Sequence, residues 1–141
     1  VVYFTGDLCL EETRGETDNG RALWQETGSD PLVFHDDDGN TITFGHDCTT
    51  DLGSTPQFSW SLGFPPDGIG VRAYTIHDLL YRTRGDCLWL KQNLKSRKAP
   101  YSRAEADEIL RKGLIVCGVP RWRARIIWLA VRLGGADGWG R

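Results

Sequence analysis

The sequence predicts an α+β fold: an N-terminal β-hairpin and small antiparallel sheet packed on a C-terminal three-helix unit. Three observations predict it. Residues 31–45 place β-formers on both sides of an Asp/Gly/Asn cluster. From Val71 the apolar residues recur at helical spacing. Start and stop signals for further helices then stand at Ser102, Gly118, Pro120 and Gly134-Gly135.

Taken in order, Leu8-Cys9-Leu10 begins a strand and Ala22-Leu23-Trp24-Gln25 forms another. Pro31-Leu32-Val33-Phe34-His35 and Thr41-Ile42-Thr43-Phe44-Gly45 pair as a hairpin across Asp36-Asp37-Asp38-Gly39-Asn40. Gly53 to Gly70, rich in Gly, Pro and Ser, is an irregular connection, long enough to suggest a functional loop. In the first helix Ala73, Ile76, His77, Leu80 and Tyr81 form one stripe. In residues 85–101, Cys87-Leu88-Trp89-Leu90 either extends a helix or packs as a flap. The second helix starts at Ser102, where Glu105 three residues on completes a capping box. Ala106, Leu110, Leu114 and Cys117 line its face, with Asp107 at the edge, and Gly118 stops it. Pro120 restarts a third helix at its first turn, and it runs from Trp122 to Leu133.

The chain has 141 residues, 40% hydrophobic and 26% charged, which fits one globular domain spanning 1–141. No apolar run approaches the roughly 18 residues of a membrane span. Val1 to Gly6 lacks the basic start and apolar stretch of a signal peptide, although a chain without Met leaves a processed start open. Cys9, Cys48, Cys87 and Cys117 are scattered without a Cys-x-x-Cys pair. They read as reduced thiols, not as a zinc ribbon. The net charge of −2 hides a split. Residues 1–70 carry two Arg against thirteen acids, −11, and residues 71–141 carry fifteen Lys and Arg against six acids, +9. Either the halves attract each other within one fold, or a basic face meets phosphate groups.

All three histidines precede an aspartate. His35 belongs to the hairpin turn and reads as surface. His46 stands near Cys48 and Asp51, a poor match to zinc-ligand spacing. His77 differs because its context is helical. A buried imidazole costs about 1–3 kcal/mol if unpaired, and so does a buried acid. His77 on one helix and Asp107 on the next therefore answer each other's desolvation. Such a pair locks helices together, and it also sets the tautomer of a general base. On and after the third helix Arg121, Arg123, Arg125 and Arg132, with Trp122, Trp128 and Trp139, read either as a phosphate- or lipid-facing surface or as solvated arginines opposite a core face. No phosphate-binding loop or nucleic-acid motif is present.

Several segments resemble domain-of-unknown-function family 1353, which is carried by tailed phages and prophages. They are Thr50-Asp51 with Ser54 and Pro56, Phe64-Pro65-Pro66, His77-Asp78-Leu79-Leu80-Tyr81, Ser102 to Asp107, Gly118 to Arg123, and Val131 to Gly134. The resemblance covers about residues 31–135. It implies a phage setting, in the host cytoplasm during infection or in the virion, and no activity.

A looser resemblance suggests one. The secreted phospholipase A2 superfamily carries His-Asp-x-x-Tyr on one helix and a further Asp on an antiparallel helix. This implies that His77 activates water and that Asp107 orients His77. Asp78 would bind Ca²⁺ with backbone carbonyls such as those of Gly68 and Gly70. Tyr81 would support the pair. The disulfides that brace most such enzymes are absent from this cysteine pattern, and Gly68-Ile69-Gly70 lies closer to His77 than in that family. Thr50-Asp51 has no counterpart there; it either bonds back to His77 or places a second acid at a metal. The expectation is a metal-assisted hydrolase acting on a phospholipid ester. The rivals are a phosphodiesterase for a signalling nucleotide and a non-enzymatic phage accessory or virion protein that binds a host or structural partner.

Overall fold

The computed structural model describes residues 1–18, 21–46, 48–50, 69–89, 91–136 and 139. Among them the strands are β1 (Tyr3–Thr5), β2 (Leu10–Asp18), β3 (Arg21–Glu26), β4 (Leu32–His35), β5 (Thr41–Phe44), β6 (Thr49–Thr50), β7 (Leu88–Trp89) and β8 (Gln92–Asn93). The helices are α1 (Val71–Arg82), α2 (Arg103–Val116) and α3 (Arg121–Gly134). The strands form two antiparallel three-stranded sheets, β1-β4-β5 and β2-β3-β6, and one two-stranded hairpin, β7-β8. The α+β class read from the sequence is the observed one.

The 31–45 hairpin forms as β4 and β5, with Leu32 opposite Phe44 and Phe34 opposite Ile42. These four side chains are buried, while Val33, His35, Thr41 and Thr43 between them are half-buried. That alternation gives the sheet one core face. The turn closes on itself. Asp36 Oδ1 accepts from the backbone N–H groups of Asp38 (2.9 Å) and Asn40 (2.7 Å), and Gly39 takes φ +82°.

The second sheet is longer than its sequence suggests. β2 begins at Leu10 and continues to Asp18 through a run without apolar alternation. Its ladder to β3 supplies the order that side-chain periodicity does not, and it shifts register between Glu12 and Thr17.

The described residues between 85 and 101 pack as a flap and do not extend a helix. Gly85, at φ +77°, turns the chain where a Cβ would lie 1.9 Å from the Tyr101 carbonyl oxygen. The segment then joins the first sheet, with Thr43 N–H donating to Leu94 O (2.7 Å) and Ser96 N–H to Thr41 O (3.0 Å). Lys95 is buried there, and its Nζ donates to the carbonyls of Arg97 (2.7 Å) and Lys98 (3.0 Å).

α1 is the central helix. Every residue from Ala73 to Tyr81 is buried, a wider arc than one stripe. Ile76, Leu79, Leu80 and Tyr81 share a core with Leu32, Phe34, Ile42 and Phe44 of the sheet. Ala73 and Tyr74 share a second core with Leu110, Leu114, Ala124, Ile127 and Val131 of the other helices. A helix buried on most sides is a core helix, so its polar residues must find partners in protein. Gly113 of α2 sits against Ala73, where a Cβ would approach Ala73 Cβ to 3.0 Å. Its missing side chain therefore sets how closely α1 and α2 approach.

The capping box at the start of α2 is complete. Ser102 Oγ accepts from Glu105 N–H (3.1 Å), and Glu105 Oε1 accepts from Ser102 N–H (3.0 Å). Cys117 is the exception on the expected α2 stripe and is only half-buried. Pro120 stands at the N-cap of α3, one residue before its first turn. No disulfide joins any of the four cysteines. Among the described residues no helix is long and apolar enough to cross a membrane.

Candidate functional site

His77 and Tyr81 are four residues apart on α1, so both point across one face toward α2. Asp107 lies one turn beyond the capping box on α2 and is fully buried. The expected pair is present: His77 Nε2 lies 2.9 Å from Asp107 Oδ1. The Tyr81 hydroxyl donates to the same oxygen at 2.6 Å. Asp107 Oδ2 accepts from Arg132 Nη1 at 2.8 Å, and Arg103 Nη1 stands 3.7 Å away. Arg103 donates to the Tyr81 hydroxyl (3.4 Å) and to the carbonyls of Val131 (3.0 Å) and Arg132 (3.1 Å) at the end of α3. Cations there suit the exposed carbonyls of a helix C-terminus. One buried carboxylate thus gathers donors from α1 and α3 onto α2.

The charges of the pair follow from these contacts. Burial alone would push the Asp107 carboxyl up, but the bonds from His77, Tyr81 and Arg132 hold it below the usual aspartate range. Burial pulls the His77 imidazole below its ordinary value and outweighs the opposing pull of Asp107. Near neutrality the site therefore holds an ionised acid and a neutral ring. An ionised carboxylate only accepts, so the ring proton sits on Nε2. That leaves the lone pair of Nδ1, which makes no hydrogen bond among the described residues. Burial and the bond to Asp107 also raise the Tyr81 phenol, so it stays a donor. Its ring packs 4.2 Å from the His77 ring and edge-on to Trp139 at 5.1 Å.

Asp78, the expected calcium ligand, is 3% exposed, and its Oδ2 accepts from Arg82 Nε at 3.0 Å. The Gly70 carbonyl accepts from Tyr74 N–H (3.0 Å), the first bond of α1. Gly68 and Asp51 lie outside the described residues. Among the described residues no three His, Cys, Asp or Glu side chains gather as metal ligands. The described calcium donors are thus one carboxylate and one carbonyl, against about six to eight oxygens for the ion.

Arg121 and Arg125 are exposed on α3, and Arg123 is half-buried with its guanidinium 5.0 Å above the Trp122 ring. His35 is half-buried at the end of β4, the central strand of its sheet, stacked on Tyr3 and bonded to Thr5 Oγ1 at 2.7 Å. His46 is exposed.

Sequence reasoning missed Arg82 and Arg103, and it read Arg132 as lipid- or phosphate-facing or solvated, where the structure bonds it to Asp107. The Asp78–Arg82 spacing of four was a legible signal. Arg132 carried none, since an arginine in a last helical turn ordinarily faces water. A cavity of about 150 Å³ beneath the 36–38 turn is lined by Phe34, Tyr101 and Glu105 among others, and not by His77.

Residues 28–131 match the family described as "Protein of unknown function (DUF1353)". The match spans most of the chain, and the chain belongs to that family. Neither a curated protein nor a solved structure matches it.

Proposed function

We propose that this protein is a hydrolase with His77 as general base and a phospholipid ester as its first-choice substrate. The observation that carries the reading is the division of labour on the His77 ring. Nε2–H is held by Asp107, which Tyr81 also holds, while Nδ1 keeps a lone pair. A neutral ring with that tautomer takes a proton from water as the water oxygen attacks an ester carbonyl. The imidazolium so formed is stabilised by ionised Asp107. It then returns the proton to the departing alkoxide, leaving a free acid and an alcohol.

Ca²⁺ belongs to this proposal at Asp78, with the carbonyls of Gly68 and Gly70 and with Asp51 as a supporting acid. A bound cation would polarise the ester carbonyl. Binding would require Asp78 to exchange Arg82 for the ion, since one of its oxygens is already engaged. Calorimetry with Ca²⁺ on the wild type and on Asp78→Asn tests this. Equal heats, or none in either, would remove the ion. The proposed setting, host cytoplasm during infection or the virion, rests on the phage resemblance alone.

The burial of His77, 6% exposed, favours a second reading. There the same network is a clasp between helices in a non-enzymatic protein that binds a partner. His77→Gln separates the two. Glutamine keeps a donor toward Asp107 but supplies no base. On mixed phospholipid vesicles, and on a panel of cyclic dinucleotides for the phosphodiesterase alternative, the wild type should turn over a substrate and His77→Gln should not, with both folded. A wild type inert on every substrate would leave the clasp.

A further inference from the structure

α3 has two apolar faces, and the fold uses one. Ala124, Ile127 and Val131 turn inward and are buried. Trp122, Ile126, Leu129 and Leu133 turn outward, at 59%, 36%, 44% and 87% exposure. Their spacing of four, three and four residues is that of one continuous stripe on a helix. A shallow depression of about 400 Å³ runs along it, lined by Ile126, Leu129, Ala130, Leu133 and Gly134. Proteins that act as monomers rarely leave such a contiguous patch to water.

The charges beside the stripe say what suits it. At 3.6 residues per turn, Arg121 and Arg125 run along one edge and Arg123 along the other. The Arg123 guanidinium lies over the ring of Trp122. From Ile109 to Ala136 the chain contains no Asp or Glu. A second copy docked by the same face would set arginines against arginines along a helix only about 21 Å long, a small and self-repelling contact. An occupant both apolar and anionic meets the stripe and its edges together. An apolar face bordered by Arg, with Trp at one end, is the composition of a helix that lies in the plane of a bilayer surface.

We infer that the outer face of α3 docks the protein on an anionic lipid surface, with Trp122, Ile126, Leu129 and Leu133 entering the acyl boundary and Arg121, Arg123 and Arg125 meeting headgroup phosphates. Docking by this face needs no hydrolysis at His77. It is therefore measured on the full chain carrying His77→Gln, so that its outcome is separate from that of the proposed activity.

The test is co-sedimentation with vesicles of phosphatidylcholine alone and of phosphatidylcholine mixed equally with phosphatidylglycerol. Binding is expected to the mixed vesicles, weaker on pure phosphatidylcholine and falling with added salt. Adding Arg121→Gln and Arg125→Gln should lower partitioning about fivefold per charge. Adding Ile126→Ser and Leu133→Ser should abolish it. All of these side chains are exposed, so the melting temperature should stay that of the parent. No binding to the mixed vesicles would overturn the inference, as would binding that both pairs of substitutions leave intact. A concentration-dependent dimer in solution that Leu133→Ser dissolves would overturn it too, and would assign the face to a second copy. Binding to an acidic peptide without binding to vesicles would assign it to a protein partner.

Discussion

Two buried carboxylates, one in each half of the molecule, have opposite fates. Asp107, among the helices, accepts from His77, Tyr81 and Arg132, and its acidity rises. Glu26, at the end of β3, is equally buried. Its Oε1 accepts from the backbone N–H groups of Gly28 (2.8 Å) and Cys9 (3.3 Å), and its Oε2 is buried without a partner. Burial pushes the Glu26 carboxyl up, and the bonds from Gly28 and Cys9 and the charge of nearby His46 only offset part of that. Burial is common to both acids; the donor set decides the sign. A guanidinium and an imidazole N–H oriented on a carboxylate outweigh desolvation, while two backbone amides on one oxygen do not.

The sharpest way to break this comparison is Asp107→Asn. It removes the charge that holds Arg132 and leaves donors from two other helices around an amide. A loss of about 3 kcal/mol is expected, or about 10 °C in thermal unfolding. A variant that melts within a degree or two of wild type would mean that the network does not hold the helices. Next is Tyr81→Phe, which keeps the ring against His77 and Trp139 and deletes one donor to Asp107. It should cost about 1–2 kcal/mol in urea unfolding, with an unchanged denaturant slope.

The pH dependence separates the two acids by sign. The folded value of His77 lies below its unfolded value of about 6.5, so the unfolded chain takes up the proton first. Its stabilisation is present above that pH and is lost as pH falls through the folded value. Asp107, also depressed, adds a second loss below about pH 4. Glu26 runs the other way. Its folded value is raised, so its contribution is fullest below about pH 4.3 and declines as pH rises through the folded value. His77→Gln should flatten the upper part of the acid limb.

The smallest expected effect is that of Glu26→Gln. The amide keeps an oxygen for Gly28 and Cys9 and removes the ionisation penalty. It should match wild type near pH 4 and exceed it at neutral pH by up to about 1 kcal/mol. A destabilised Glu26→Gln at pH 7 would show that Glu26 is ionised and held by a cation, and the contrast with Asp107 would fail.

Much of the helical half was readable because each helix declared itself locally. Ser102 and Glu105 mark a start, and Leu110 and Leu114 mark a face. His77 and Asp107 stand out because a titratable group on an apolar stripe needs a partner. The β half was less readable. The Asp36–Asn40 turn announced its hairpin, but Glu11 to Asp18 carries no alternation, and β2 exists because β3 lies beside it. The expected roles of Gly68 and Asp51 fall outside the described residues.

By itself, the sequence determined the turn at Asp36–Asn40, the capping box of α2 and the apolar stripes that carry His77 and Asp107. All of these depend on contacts within about four residues, where chain geometry leaves few choices. Tertiary structure alone decided that Arg132 reaches Asp107, that Glu26 is sealed with one oxygen unpartnered, and which apolar face of α3 turns inward. Periodicity records that a side chain is apolar or polar on a given face. It does not record which neighbour that face meets, because that depends on how whole helices cross.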